Sequence, residues 1–158
     1  VLDEMLGWRD ATLVVLGSGE KKLENLFAGY AAKYPDRMIF WHGFSNAMAH
    51  KIEAGADLFL MPSQYEPCGL NQMYSLKYGT LPVVRATGGL DDTIDSETGF
   101  KFWRYESWDL AECLRHALAV YAEPERFEEM QKTAMGRDYS WSQSAKSYSA
   151  LYRDLLSK

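Results

Sequence analysis

The sequence predicts an α/β domain, a parallel sheet with helices on both faces, followed by a run of C-terminal helices. Three observations carry this. Short apolar runs, of the kind buried in parallel strands, alternate with amphipathic stripes of helical period. Their order, four strands separated by three helices, demands parallel pairing through right-handed crossovers. Past about residue 105 only helical periodicity remains. A single domain over residues 1–158 is expected, with the sheet in 1–105 and helices in 106–158.

Residues 1–7 read as the closing turns of a helix ended by Gly7, so the chain is expected to be a fragment of a longer protein. Residues 11–16 form an apolar strand that ends in Gly17-Ser18-Gly19. The next helix carries Leu23, Leu26, Phe27, Tyr30, Ala31 and Tyr34 on one stripe and stops before Pro35. A strand at 38–41 leads to a helix over 45–54 with Ser45 as N-cap. A strand at 57–61, a helix over 69–78 and a strand at 82–84 follow. Helices are expected over 107–121 and 124–135. A third opens with the capping box Ser140-x-x-Gln143 and sets Ala145, Tyr148, Tyr152 and Leu155 on one face. There is no internal repeat and no low-complexity tract.

With 47% hydrophobic and 25% charged residues, the composition is that of an ordinary globular domain. No apolar run approaches the ~18 residues needed to span a bilayer, and no signal pattern opens the chain. A net charge of −5 argues against a general nucleic-acid surface. Cys68 and Cys113 lie far apart without metal spacing, which fits cytosolic thiols better than a disulfide. His42, His50 and His116 show no ligand spacing either, and His50 reads as a surface or capping residue. Trp8, Trp103, Trp108 and Trp141 read as packing residues.

The chemistry concentrates in Pro62-Ser-Gln-Tyr-Glu66-Pro-Cys68-Gly69-Leu70-Asn71-Gln-Met-Tyr74. Glu66 sits where a strand ends and a helix begins, the ligand edge of an open α/β sheet. The amides of Cys68, Gly69 and Leu70 are first-turn donors free to hold hydroxyls or phosphate oxygens. Pro67 biases Glu66 toward an extended backbone, and Gly69 lets a ligand approach the main chain. The alternative for Glu66 is a plain helix cap. On the neighbouring strand, Thr87-Gly88-Gly89 offers a concave set of amides suited to anions, with a flexible turn as its alternative. Gly17-Ser18-Gly19 lacks the third glycine of a dinucleotide fingerprint, Lys22 standing in its place. It reads as a tight turn or a turn bordering a nucleotide. Phe44, at another strand-to-helix crossing, is either core or a stacking face.

Glu66-Pro-Cys-Gly-Leu-Asn-Gln-Met-Tyr74, then Lys77-Tyr-Gly-Thr-Leu-Pro-Val-Val-Arg85, then Thr87-Gly-Gly-Leu-x-Asp92-Thr93, resembles the C-terminal half of bacterial glycogen synthases and plant starch synthases. These are ADP-glucose-dependent retaining glycosyltransferases of the two-domain GT-B fold, whose halves are Rossmann-like. Leu16-Gly-Ser-Gly19, Ala49-His-Lys51, Thr98-Gly-Phe100 and Tyr139-Ser-Trp141 extend the likeness over essentially the whole chain. The resemblance implies Glu66 as the catalytic carboxylate, accepting from the glucose 3-hydroxyl. It implies Phe44, Cys68, Gly69, Leu70, Asn71, Tyr74, Thr87, Gly88 and Gly89 as donor-binding residues, with Phe44 against adenine. Tyr74 stands where other retaining families carry a second Glu, which removes a carboxylate from the ribose. The resemblance further implies ADP-glucose as substrate, no metal or other cofactor, and an α-1,4-glucan acceptor held by an N-terminal domain. It implies diphosphate-clamping Arg and Lys residues upstream of Val1, and an inactive isolated fragment. A UDP-sugar transferase and a stand-alone nucleotide-binding module are the alternatives.

Overall fold

A computed structural model describes residues 1–8 and 11–157. Its elements follow the expected alternation. A short helix α1 (Leu2–Gly7) precedes strand β1 (Leu13–Gly17), and helix α2 (Lys21–Lys33) leads to strand β2 (Met38–His42). Helix α3 (Asn46–Gly55) starts at Ser45, whose hydroxyl accepts from the Met48 amide at 3.2 Å. Strand β3 (Leu58–Met61), helix α4 (Asn71–Tyr78) and strand β4 (Leu81–Arg85) follow. Helix α4 begins two residues later than its pattern suggested. Gly69 at φ +72 and Leu70 at φ −121 are not helical, so the segment between Glu66 and Asn71 is loop.

Two elements were not anticipated: helix α5 (Gly89–Thr93) and strand β5 (Phe100–Phe102). The three helices after β5 lie where the periodicity put them: α6 (Ser107–Tyr121), α7 (Pro124–Gly136) and α8 (Trp141–Leu156). Only half of the capping box forms. Ser140 Oγ accepts from the Gln143 amide at 3.4 Å, while the Ser140 amide donates to Asp138 Oδ1 at 2.9 Å instead of to Gln143.

All pairing is parallel, but the described strands form two sheets, not the single one expected. Strand β1 pairs with β2 from Leu13↔Met38 to Gly17↔His42. The second sheet has the order β3-β4-β5, with Leu58↔Leu81 and Val83↔Phe100 in register. The core lies on this second sheet. Val83 and Val84 of β4 pack with Leu76 of α4, Leu90 of α5, Phe100 and Phe102 of β5, Leu114, Ala117 and Val120 of α6, and Phe127, Met130 and Ala134 of α7. The α6 and α7 contributions recur at three- and four-residue spacing, one apolar stripe each. Neither α2 nor α8 buries a residue fully. Three tryptophans expected to pack do not. Trp103, Trp108 and Trp141 are exposed, because they stand at a strand end, a helix start and the head of the uncovered α8. Only Trp8 leans on the core. No described helix is long and apolar enough to cross a membrane.

Candidate functional site

The cleft-lining residues show that β1 and β3 run side by side in the same direction. Thr12 and Leu13 line one lobe of a cleft with Asp57 and Leu58, and Leu16 lines the other lobe with Leu60 and Pro62. The loops leaving β1 to β4 therefore share one rim, the carboxyl edge where ligands of such sheets bind.

On that rim the loops after β3 and β4 are locked together. The Gly89 amide donates to the Glu66 carbonyl at 3.1 Å. A Cβ on Gly88 would stand 2.2 Å from that same carbonyl oxygen, and one on Gly89 would stand 2.0 Å from the carbonyl oxygen of Cys68. Gly88, at φ +47 and ψ −132, also holds a conformation that side chains resist. The two glycines are there so that one loop can press against the other. Gly89 thus spends its amide on the protein. The reading of Gly88 and Gly89 as a concave anion nest is corrected to that extent.

Side chains the sequence reading passed over complete the lock. Gln72, fully buried at the start of α4, donates from Nε2 to the Cys68 carbonyl (3.0 Å), the Gly69 carbonyl (3.2 Å) and Thr93 Oγ1 (3.2 Å). Thr93 Oγ1 in turn donates to the Gly89 carbonyl at 2.5 Å. Arg85, at the end of β4, donates from Nε to the Ser63 carbonyl at 2.7 Å and from a terminal nitrogen to the Gln64 carbonyl. A buried Gln and an Arg closing an apolar strand are polar residues at apolar positions. That mismatch was the available signal.

Held in this way, the loop leaves its functional groups unspent. The amides of Cys68, Gly69 and Leu70 make no hydrogen bond among the described residues. The half-buried Glu66 side chain has no hydrogen-bond or ion-pair partner there, and the N-cap of α4 is Leu70, so the helix-cap alternative fails. Asn71 is exposed beside them, and Thr87 is half-buried on the β4 loop. A carboxylate and three unpaired amides on one loop can orient a hydroxylated ligand and stabilise a negative charge on it.

Tyr74 projects from the second turn of α4, 42% exposed, its ring 5.8 Å from that of His50 on α3. His50 is more than a surface residue. Its Nδ1 is 3.3 Å from Tyr78 Oη and 3.7 Å from Glu53 Oε2. Glu53 is only 4% exposed, and burial raises its pKa against the lowering effect of His50. Phe44, 89% exposed after β2, packs against no described ring and is not core. The turn after β1 is closed by Glu24, whose carboxylate accepts from the Gly19 amide at 3.1 Å and lies 2.8 Å from His42 Nε2. Those two contacts, the amide first, hold its pKa down at about 2. The structure thus brings Glu66, Cys68, Gly69, Leu70, Asn71, Thr87, Gly88 and Gly89 together, and leaves Phe44 and Tyr74 on separate elements of the same rim.

Comparison with known proteins agrees with this architecture. A glycogen synthase of Koribacter versatilis is 47% identical over 156 residues, covering 94% of this chain and 32% of that protein. One from an Anaeromyxobacter species is 49% identical over 160 residues, covering 98% of this chain and 34% of its own length. The chain spans about a third of the length of the curated relatives it matches. Among solved structures, the catalytic domain of Arabidopsis thaliana starch synthase IV, bound to ADP and acarbose, superposes with a TM-score of 0.78 at 31% identity. That match covers 93% of this chain and 33% of that one. A Rickettsia africae glycosyltransferase shares the fold at 16% identity and a TM-score of 0.76, covering 98% of this chain and 42% of its own. The family of glycosyl transferases group 1 matches residues 8–134. The chain belongs to the group 1 glycosyl transferases.

Proposed function

We propose that the parent enzyme transfers glucose from ADP-glucose to the non-reducing 4-hydroxyl of an α-1,4-glucan with retention of configuration, and that this chain carries the donor half. The observation that carries this reading is the unpaired Glu66 carboxylate beside the free amides of Cys68, Gly69 and Leu70. The glycogen synthase relatives and the ADP-bound starch synthase neighbour support the choice of donor and acceptor.

Glu66 accepts a hydroxyl hydrogen of the glucosyl unit and fixes its orientation. The Cys68, Gly69 and Leu70 amides take the remaining sugar hydroxyls and a phosphate oxygen, each such charge-assisted bond contributing about 1.5–3 kcal/mol. As the bond from the anomeric carbon to ADP breaks, these fixed dipoles face the charge that develops on the leaving phosphate. The acceptor oxygen attacks from the same face, and its proton passes to the departing phosphate. Glu66 is not a nucleophile, and the chemistry needs no metal. Phe44 covers adenine from the β2 loop, Tyr74 and Asn71 flank the ribose and sugar, and Thr87 and Gly88 close the far side of the donor. The enzyme works in the bacterial cytoplasm on a soluble nucleotide sugar, with the glucan held by an N-terminal domain.

In the parent enzyme, Glu66→Gln is expected to lower glucosyl transfer by roughly 10²–10³-fold with unchanged melting behaviour. Near-normal turnover would sink the reading. The isolated chain is expected to bind ADP more tightly than UDP, at about 0.1–1 mM. Equal affinity would point to a UDP-sugar donor. Alkylation mapped by mass spectrometry should find exposed Cys68 first, slowed by ADP-glucose. Cys113 is buried, and burial lifts its thiol to about 11.

A further inference from the structure

Helix α3 is stitched to the end of α4 at two points. Thr80, buried just after α4, shares its hydroxyl hydrogen between the carbonyls of Glu53 and Ala56, the second at 3.0 Å. Two residues earlier, Tyr78 Oη lies 3.3 Å from His50 Nδ1. The Thr80 stitch fixes the last turn of α3, so His50 stands at a set height beside α4. There its ring meets two tyrosines of that helix, Tyr74 at 5.8 Å and Tyr78 at 6.1 Å between centroids. Tyr78 follows Tyr74 by four residues and Asn71 precedes it by three, so the three share one face of α4. That face runs from the Glu66 loop down to His50.

The same nitrogen of His50 also faces a carboxylate. Glu53 Oε2 lies 3.7 Å from Nδ1, and that oxygen is buried with no hydrogen-bond partner among the described residues. Leaving a buried acceptor unpaired costs stability. The rest of the cluster returns little of it, since His50, Tyr74 and Tyr78 all remain substantially exposed and exposed polar contacts contribute little. A seam that served only to join two helices would be apolar. Departures from that rule gather where a protein needs placement more than stability.

We propose that His50 is a positioning residue of the donor site, setting the ring of Tyr74 against the ribose of the nucleotide sugar without touching the nucleotide itself. The inference rests on the donor reading above. Tyr78 and Glu53 hold the imidazole at Nδ1, and the imidazole limits the swing of the Tyr74 ring. Among the described residues no other ring meets that of Tyr74. Without His50 the tyrosine has open surface to move into, and the ligand must order it on binding. The ribose contact is the same before and during the reaction, so its loss weakens substrate and transition state alike. Such a loss raises KM and leaves kcat in place.

The test is a double-mutant cycle in the parent enzyme, read as KM for ADP-glucose and as kcat. His50→Ala is expected to raise KM by roughly three- to tenfold, the range of one aromatic contact, with kcat within about twofold. In a Tyr74→Ala background the same substitution is expected to change KM by less than about 1.5-fold. His50→Asn keeps a polar atom near the place of Nδ1 but has no ring. It is expected to restore the melting temperature of the parent and not its KM. An equal rise in KM in both backgrounds would overturn the proposal, as would a fall in kcat at unchanged KM, or recovery of KM by His50→Asn. If His50→Ala does not fold, His50→Asn runs the same cycle. Glu66→Gln is read in kcat and this cycle in KM, so either reading can fail while the other stands. If the parent turns over a UDP-sugar instead, the choice of donor fails and the cycle is run on that sugar.

Discussion

Strands β1 and β4 have the same length and nearly the same chemistry, five mostly apolar residues in parallel pairing, yet they live in different surroundings. β4 is buried along all but its last residue, with β3 and β5 on its flanks and Leu76, Leu90, Leu114 and Ala134 against its faces. β1 is half-exposed, with Val14 38% accessible, one neighbour at its edge, and α2 beside its sheet with no fully buried residue. An apolar run makes a strand through local preference, but burial comes only from neighbours on both edges and both faces. Half of this chain has them.

The sharpest way to break that comparison is a single methyl group in each half. Gly89→Ala places a Cβ 2.0 Å from the Cys68 carbonyl oxygen and forces the two rim loops apart, at an expected cost above ~3 kcal/mol in denaturant melts. Gly19→Ala meets nothing within 4 Å and is expected within about ±0.5 kcal/mol. Equal effects would mean the loops are not interlocked. A smaller contrast comes from truncating leucines. Leu76→Ala, at 0% exposure on α4, is expected to cost about 2–5 kcal/mol, and Leu23→Ala, 49% exposed on α2, less than about 1 kcal/mol.

The smallest effect is electrostatic and belongs to the weaker half. Asp3 accepts from Lys33, Tyr30 and Tyr34, and Lys33 above all holds its pKa at about 2. Glu24 is held at about 2 as well. Both sit below their ordinary values when folded, so their stabilisation is complete above about pH 4.5 and is lost as the pH falls toward 2. Exchange protection in β1 and β2 is expected to fade over that window before protection in β4 and β5. Asp3→Asn with Glu24→Gln should flatten the difference. Simultaneous loss in both sheets, unchanged by those substitutions, would make the two halves one cooperative unit.

Much of this was legible in the sequence because strands β1 to β4 and the longer helices carry their own periodicity, and Ser45 and Ser140 mark helix starts chemically. β5 was missed because Phe100-Lys101-Phe102 is too short to show a period. α5 was missed because it opens on two glycines, which read as turn. At the site, Glu66 and its free amides followed from a strand-to-helix crossing with Pro67 and Gly69. The roles of Gln72, Thr93 and Arg85 did not, since Gln72 and Thr93 meet only when α4 and α5 pack, and Arg85 reaches the backbone of the loop after β3. The sequence also could not tell one sheet from two, because alternation fixes the direction of a strand and leaves its neighbours open.

The lock between the rim loops sets how far this protein can change in length. The Gly89 amide, the Gln72 side chain and Arg85 grip consecutive stations of one loop, the carbonyls of Ser63, Gln64, Glu66, Cys68 and Gly69. Inserting or deleting one residue anywhere in that stretch would shift the later stations out of reach of their holders. The exposed turn at Ala122 and Glu123, between α6 and α7, is bonded only to its own neighbours in sequence. Among descendants of this chain, gaps and insertions should therefore gather in that turn. The stretch from Ser63 to Asn71 should keep its residue count fixed.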